Sequence, residues 1–351
     1  NIDWPSKSGL SEKEQKEEFL TLLDNVQKWN MNAIIVQVKP ASDAFYKSKL
    51  SPWSKYLSGK QGVDPGYDPL DFMIKEAHKR NIEIHAWFNP FRLSAGSASW
   101  SLLSADNIAY KHPTWVVRYG DQLYLNPGVP EVSDHVIASI MEVVKNYKID
   151  GVHLDDYFYP YKIGKQEYPD FKEYSKYGVT FASRADWRRN NINTFVKKLH
   201  ESIKSENKDL EFGISPFGVW RNESSDPKGS KTKALQNYDD LYADVLYWMQ
   251  NSWIDYVAPQ LYWHRGNTAA DYSTLVEWWN NEAKETNTKL YIGLAAYRVN
   301  EWKQPDELVQ QVYYNRSFPE VKGNIFFSYK SLLNNPKGVV TNLVAGPFSS
   351  K

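Results

Sequence analysis

Short β-branched or aromatic runs alternate along this chain with longer stretches whose apolar positions recur at helical spacing. The runs are Ala33 to Val38, Glu83 to Phe88, Gly151 to Asp155, Glu211 to Ser215, Tyr256 to Leu261, Leu290 to Ala295 and Asn324 to Phe327. The spacing predicts helices between them. Ser11 to Trp29 opens on Ser-Glu-Lys-Glu, a capping-box pattern, and carries Phe19, Leu22, Leu23 and Val26 on one face. Pro69 to Lys79 follows Asp68 as N-cap, with proline at the first helical position. Val132 to Tyr147, Ala185 to Lys204, Leu241 to Trp253, Leu275 to Lys284 and Asp306 to Tyr314 read the same way.

Strands alternating with helices imply βαβ units and a parallel sheet. The expectation is an α/β chain forming one (β/α)8 TIM barrel over residues 1–351. Glycine patterns of the Gly-x-Gly-x-x-Gly type follow none of the runs, which removes the usual support for a dinucleotide fold. Seven runs are one short of eight. Because Asn1 to Gly9 reads as a loop entering the first helix, strand one is expected to precede residue 1. The stretches after the runs are long and aromatic: Pro40 to Asp68, Asn89 to Val129, Tyr157 to Ser183 and Phe217 to Leu241. Those before them are short, as in Lys148-Ile149-Asp150. In barrels that asymmetry places the active site on the face built by the long loops.

Composition narrows the function class. Lys plus Arg equals Asp plus Glu at 42 each, so no excess positive charge points to nucleic acid. Hydrophobic residues make up 42%, yet no apolar run approaches the roughly 20 residues of a membrane span. There is no cysteine, which excludes disulfides, thiolate zinc sites and a Cys nucleophile. Aromatic residues reach 15%, with 14 Trp and 24 Tyr. They serve an aromatic core or a sugar-binding cleft equally well, since flat rings with polar edges stack on pyranoses.

The sharpest chemical signal is Asp150-Gly151-Val152-His153-Leu154-Asp155-Asp156-Tyr157. A buried strand delivers two adjacent carboxylates at its C-terminal end. Alternation sets His153 and Asp155 on the interior face and leaves Asp156 at the rim. The competing structural reading has Asp156 capping a turn and Asp155 paired with a basic side chain. Other strand ends offer Gln37, Lys39 and Asp43; Trp87, Asn89 and Arg92; Trp220 and Arg221; Gln260, Tyr262 and Trp263; Tyr297; and Tyr329. These, with His153 and Tyr157, are the candidate substrate-binding residues, and for each aromatic ordinary packing is an equal alternative. No metal site emerges, because His153 with Asp155 lacks a third ligand. No cofactor is implied, and no Gly-x-Ser-x-Gly elbow supports a serine triad.

Several long segments resemble a known family. They are Asn1-Ile2-Asp3-Trp4-Pro5-Ser6, Gln37-Val38-Lys39-Pro40 with Asp43-Ala44-Phe45-Tyr46, Pro52-Trp53-Ser54, His85-Ala86-Trp87-Phe88-Asn89-Pro90-Phe91-Arg92, Asp150 to Pro160, and Ile214 to Asn222. Together they resemble the glycosyl hydrolase-like family 10 of bacteria. The resemblance covers nearly the whole chain. It implies a barrel, a first strand upstream of Asn1, export or lipid anchoring in the cell envelope, and hydrolysis of a polysaccharide, peptidoglycan above all.

Glycoside hydrolysis needs a proton donor for the leaving oxygen and a group that supports the oxocarbenium-like centre. Adjacent aspartates do not flank a bond at the roughly 5 Å separation of ordinary retaining enzymes. They suit cleavage assisted by the substrate's own 2-acetamido group. The leading expectation gives Asp155 the orienting role and Asp156 the acid/base role. The alternative makes Asp155 a direct nucleophile, with the acid drawn from Asp43, Glu167, Glu223 or Asp226. A non-catalytic glycan-binding barrel, an envelope scaffold and a barrel enzyme of another class also stay open.

Overall fold

The computed structural model describes residues 3–349. Among them are nine strands: β1 (Ala33–Lys39), β2 (Glu83–Phe88), β3 (Val116–Tyr119), β4 (Gln122–Leu125), β5 (Gly151–Leu154), β6 (Glu211–Ile214), β7 (Tyr256–Val257), β8 (Lys289–Ala295) and β9 (Val321–Phe327). The seven expected runs are all strands, and the helices between them are present. The chain divides into two compact units. The first runs to Thr21 and continues with Ala33–Leu210 and Asp240–Ala243. The second holds Leu22–Asn32, Glu211–Asp239 and the chain from Asp244 on.

In the first unit β1, β2 and β5 form a parallel ladder. The helices Pro69–His78, Pro130–Asn146 and Arg184–Glu206 bury their apolar faces, including Leu70, Met73, Val132, Ile140, Phe195 and Leu199. Val152 and Leu154 of β5 are wholly buried, as are Ile84 and Phe88 of β2. Gly151 pairs with His85, and a Cβ there would meet the His85 ring at 2.3 Å, so the strand needs glycine at this point. The register runs Trp87 to His153 and Phe88 to Leu154. One step further, Asn89 and Asp155 are therefore side by side where both strands end.

In the second unit β6, β7, β8 and β9 are parallel neighbours. The sixth-strand run stops at Ile214, before Pro216, and the run expected from Tyr256 to Leu261 keeps ladder pairing only over Tyr256–Val257. Pro259 has no N–H to donate, so pairing resumes as single bridges, Gln260 facing both Phe217 and Gly293. The helix expected over 241–253 shrinks to Val245–Gln250. Asp244 caps it, accepting from the Tyr247 N–H, and Tyr242 just upstream holds a left-handed φ of +56° that no helix tolerates.

The long stretch from Asn89 to Val129, expected to be loop, contains the hairpin β3–β4. Its two-residue turn places Gly120 first, with φ +57°, the conformation a tight hairpin demands. The hairpin clamps the chain after β2: Leu93 N–H donates to Leu123 O at 3.0 Å, Leu125 N–H donates to Phe91 O at 2.8 Å, and Arg92 bridges to Tyr124. Arg92 is thereby fixed to a sheet element, not carried on a free loop.

The stretch after β5 is fastened just as firmly. Arg188 donates to both oxygens of Asp170, at 2.7 and 2.6 Å, to the Tyr242 hydroxyl at 2.9 Å and to Tyr168 O at 3.2 Å. Its side chain is 3% exposed and that of Asp170 is fully buried. Removing one member of such a pair strands the other charge out of water, at about 3–5 kcal/mol. Arg188→Met is expected to lower unfolding stability by about that much in urea titrations, and Asp170→Asn placed beside it to recover part of the loss. Equal stability of Arg188→Met and the parent would show that the clamp contributes nothing.

Candidate active site

Three strand ends of the first unit converge. Asn89 N–H donates to Lys39 O at 2.9 Å, which ties the end of β1 to that of β2. Asn89 Nδ2 donates to Asp155 Oδ2 at 3.3 Å, which ties β2 to β5. Asp155 Oδ1 accepts from the Tyr157 backbone N–H at 3.2 Å. Its neighbour Asp156 accepts from the Tyr161 hydroxyl. Asp155 and Asp156 are 3% and 4% exposed, so both carboxyls sit almost wholly out of water. Two such groups on consecutive residues cannot both be charged cheaply. Burial, reinforced by the Asp156 charge, pushes the Asp155 pKa up to about 7, against the opposing pull of Arg92 and the Tyr157 N–H.

Arg92 lies over the Tyr157 ring, 4.5 Å from its centroid. Tyr157 meets Tyr161 edge-on at 5.6 Å. Trp87 meets His153 edge-on at 6.4 Å. His153 is buried, and desolvation with the nearby His85 pushes its pKa down to about 3, so it is a neutral imidazole. Lys39 is buried and donates to Ser51 Oγ at 2.5 Å; burial brings its pKa down to about 8 against the attraction of Asp43. Gln37 is half-buried in β1.

Asp43 lines a small cleft of about 20 Å³ with Lys55, Tyr56, Gln61, Leu93 and Ser94. Gln61 donates to its Oδ2 at 3.4 Å, while its buried Oδ1 has no partner. Burial raises the Asp43 pKa. The Arg92 charge acts on both Tyr56 of the cleft and Asp155. Asn89 Oδ1 is a second buried, unpartnered acceptor. Unsatisfied buried acceptors are costly, and their presence here fits a surface completed by a ligand's donors.

The remaining candidates belong to the second unit. Tyr262 stacks on Phe327 at 6.2 Å and 20°, and Tyr297 meets both edge-on. Tyr297 is 48% exposed, so this trio offers a ring surface to solvent. Trp263 packs edge-on against Phe217 at 5.5 Å, and Gln260 Nε2 donates to Ser215 O. Trp220 is buried against Trp278, nearly parallel at 6.1 Å, and donates to Asp244. Arg221 is engaged by Asp239 and Asp226. Tyr329 accepts from Asn25 Nδ2 at 2.8 Å and lies against Trp29. Of the alternative acids, Glu167 pairs with Arg184 and Asp226 with Arg221.

Tyr161, Tyr56 and Phe327 were not singled out from sequence. Only the aromatic run Tyr157-Phe158-Tyr159-Pro160-Tyr161 carried a hint of the first. Among the described residues no cluster of three or more His, Asp or Glu could hold a metal ion. No described helix is long and apolar enough to cross a membrane.

Residues 1–313 match the family described as Glycosyl hydrolase-like 10. Glycosyl hydrolase YngK of Bacillus subtilis (strain 168) is 54% identical over 356 residues, covering 99% of this chain and 70% of that protein. Glycosyl hydrolase DigH of Escherichia coli (strain K12) is 40% identical over 361 residues, covering 96% and 82%. Among solved structures, the PgaB (BpsB) glycoside hydrolase domain from Bordetella bronchiseptica aligns with a TM-score of 0.61 at 12% identity, over 95% of this chain and 93% of that one. The endo-1,4-beta-mannanase from Rhizomucor miehei aligns with a TM-score of 0.56 at 13% identity, over 98% and 94%. At such identities the structures speak for a shared α/β fold alone, whereas the sequence matches carry the assignment: the chain belongs to the Glycosyl hydrolase-like 10 family and is a glycoside hydrolase.

Proposed function

We propose that this enzyme hydrolyses glycan strands rich in N-acetylated amino sugars, bacterial peptidoglycan foremost, outside the cytoplasmic membrane. The buried pair Asp155–Asp156 carries the reading. Consecutive residues on one strand end are too close to sit on opposite faces of a glycosidic bond. The attacking group must then come from elsewhere, and an N-acetylated sugar brings its own 2-acetamido oxygen.

The surroundings of the pair favour an allocation opposite to the one expected from sequence. Asp155, with its pKa near 7, holds the proton and delivers it to the glycosidic oxygen as the C–O bond breaks. Asp156 is the carboxylate that accepts from the acetamide N–H and aims its carbonyl oxygen at the anomeric carbon. Asp155, now ionised, takes a proton from the water that opens the cyclic intermediate, and the product keeps its configuration. Asn89 holds Asp155 in place, and the Asp43 cleft takes polar groups of an adjoining residue.

We read the fold as a (β/α)8-type barrel. β1 and β9 each have one parallel neighbour among the described strands. Ile34, Ile35 and Val36 of β1 are half-buried.

Asp155→Asn and Asp156→Asn are each expected to lower turnover of purified glycan strands at least about 10³-fold with the fold intact. The parent's kcat/KM should fall on an alkaline limb near pH 7. Near-normal hydrolysis by both variants would refute the reading, and failure of thiazoline analogues to inhibit would remove the assisted mechanism. Stability gives an independent check. Folding raises the Asp155 pKa, so its contribution is fully present below the unfolded value of about 4 and is lost as pH rises through about 7. Asp155→Asn should therefore be more stable than the parent at about pH 8, on the order of 2–4 kcal/mol, with the gain vanishing towards about pH 4.

A further inference from the structure

We propose that Tyr161 makes the two aspartates unequal: its phenolic hydroxyl holds Asp156 as the ionised member and leaves the shared proton on Asp155. The inference rests on the reading that this pair is catalytic, and it makes Tyr161 a positioning residue acting through Asp156.

Three observations carry it. The Tyr161 hydroxyl donates to Asp156 Oδ2. A hydrogen bond donated to a carboxylate favours its charged form. The donor is dependable, because burial and the Asp156 charge push the Tyr161 phenol far above its ordinary range, so it keeps its proton. The partners of Asp155 hold it more loosely. The Tyr157 N–H at 3.2 Å and Asn89 Nδ2 at 3.3 Å are long, and the Trp87 side chain adds a further pull towards the charged form that burial and the Asp156 charge outweigh. The Asn89 amide also leaves Oδ1 buried and unpartnered. Rotated by half a turn, that oxygen would face Asp155 Oδ2 and accept the proton of a neutral carboxyl. Charged and titratable groups acting on the pair include Tyr157, Tyr161 and Arg92. Arg92 favours an ionised Asp155, but it lies over the Tyr157 ring and donates no hydrogen bond to the carboxyl.

The chain reaches this arrangement by being pinned on either side. Tyr159 is buried, its hydroxyl accepts from Asn191 Nδ2 at 3.1 Å, and its ring meets Tyr168 and Tyr242 edge-on. With Tyr159 fixed and proline at 160, Tyr161 is directed back over the carboxyl it serves.

The test is Tyr161→Phe in the full chain, which keeps the ring and removes the donor. The acidic limb of kcat/KM against pH reports protonation of Asp156. With a glycan-strand substrate, that limb should move up by about one pH unit or more. The plateau should fall about tenfold as the proton redistributes between the carboxyls. A plateau loss with the limb unmoved, or no change at all, overturns the proposal. A second measurement needs no activity: the Asp156 carboxyl carbon, followed by NMR in Asp155→Asn, should titrate higher once Tyr161→Phe is added. An unchanged titration also overturns it. If Asp155→Asn and Asp156→Asn stay active, the parent reading fails instead, so the two failures are distinguishable.

Discussion

Two carboxyls on neighbouring residues, shielded from water at the end of a buried strand, resist full ionisation because the field of one opposes ionisation of the other. That repulsion sets the demands on everything around Asp155 and Asp156. β5 must end where it does, so that one carboxyl meets Asn89 across the ladder and its neighbour meets Tyr161. Val152 and Leu154 must be buried to hold the strand, and Gly151 must lack a side chain so that His85 fits beside it.

The surrounding loops answer the same demand. The hairpin β3–β4 fixes Arg92, whose positive charge tempers the Asp155 shift without discharging it into an ion pair. The Arg188–Asp170 clamp holds the stretch that carries Tyr157, Tyr159 and Tyr161. A carboxyl pair held out of water thus has rigid neighbours on both flanks. Such pre-organisation is how buried sites hold groups in states that water would not favour. The same burial costs folding stability above neutral pH, a cost the extensive apolar core of the first unit offsets.

How far the site was legible follows from the range of each interaction. Asp155, Asp156, Asn89 and Arg92 stood out because a strand end is a local signal and their residue types are chemically marked. Tyr161 did not, because its place over Asp156 depends on Tyr159 being held by Asn191, Tyr168 and Tyr242, residues far along the chain. Trp220 and Tyr297 looked alike as strand-end aromatics. One is sealed against Trp278 and the other is exposed, a difference made by a helix some sixty residues beyond Trp220 in the chain.

By itself the sequence determined what periodicity, proline, glycine and charge can determine. It marked seven parallel strands, the helices between them, the face carrying long loops and the acid pair at one strand end. Tertiary structure decided the rest. It turned part of a long loop into a hairpin, cut the strand after Val257 to a pair of residues, and placed the Tyr161 hydroxyl on Asp156 and the Asn89 amide on Asp155. The reason is physical: backbone preference is set within a few residues, whereas the state of a buried proton is set by whichever groups the whole fold brings within a few ångströms of it.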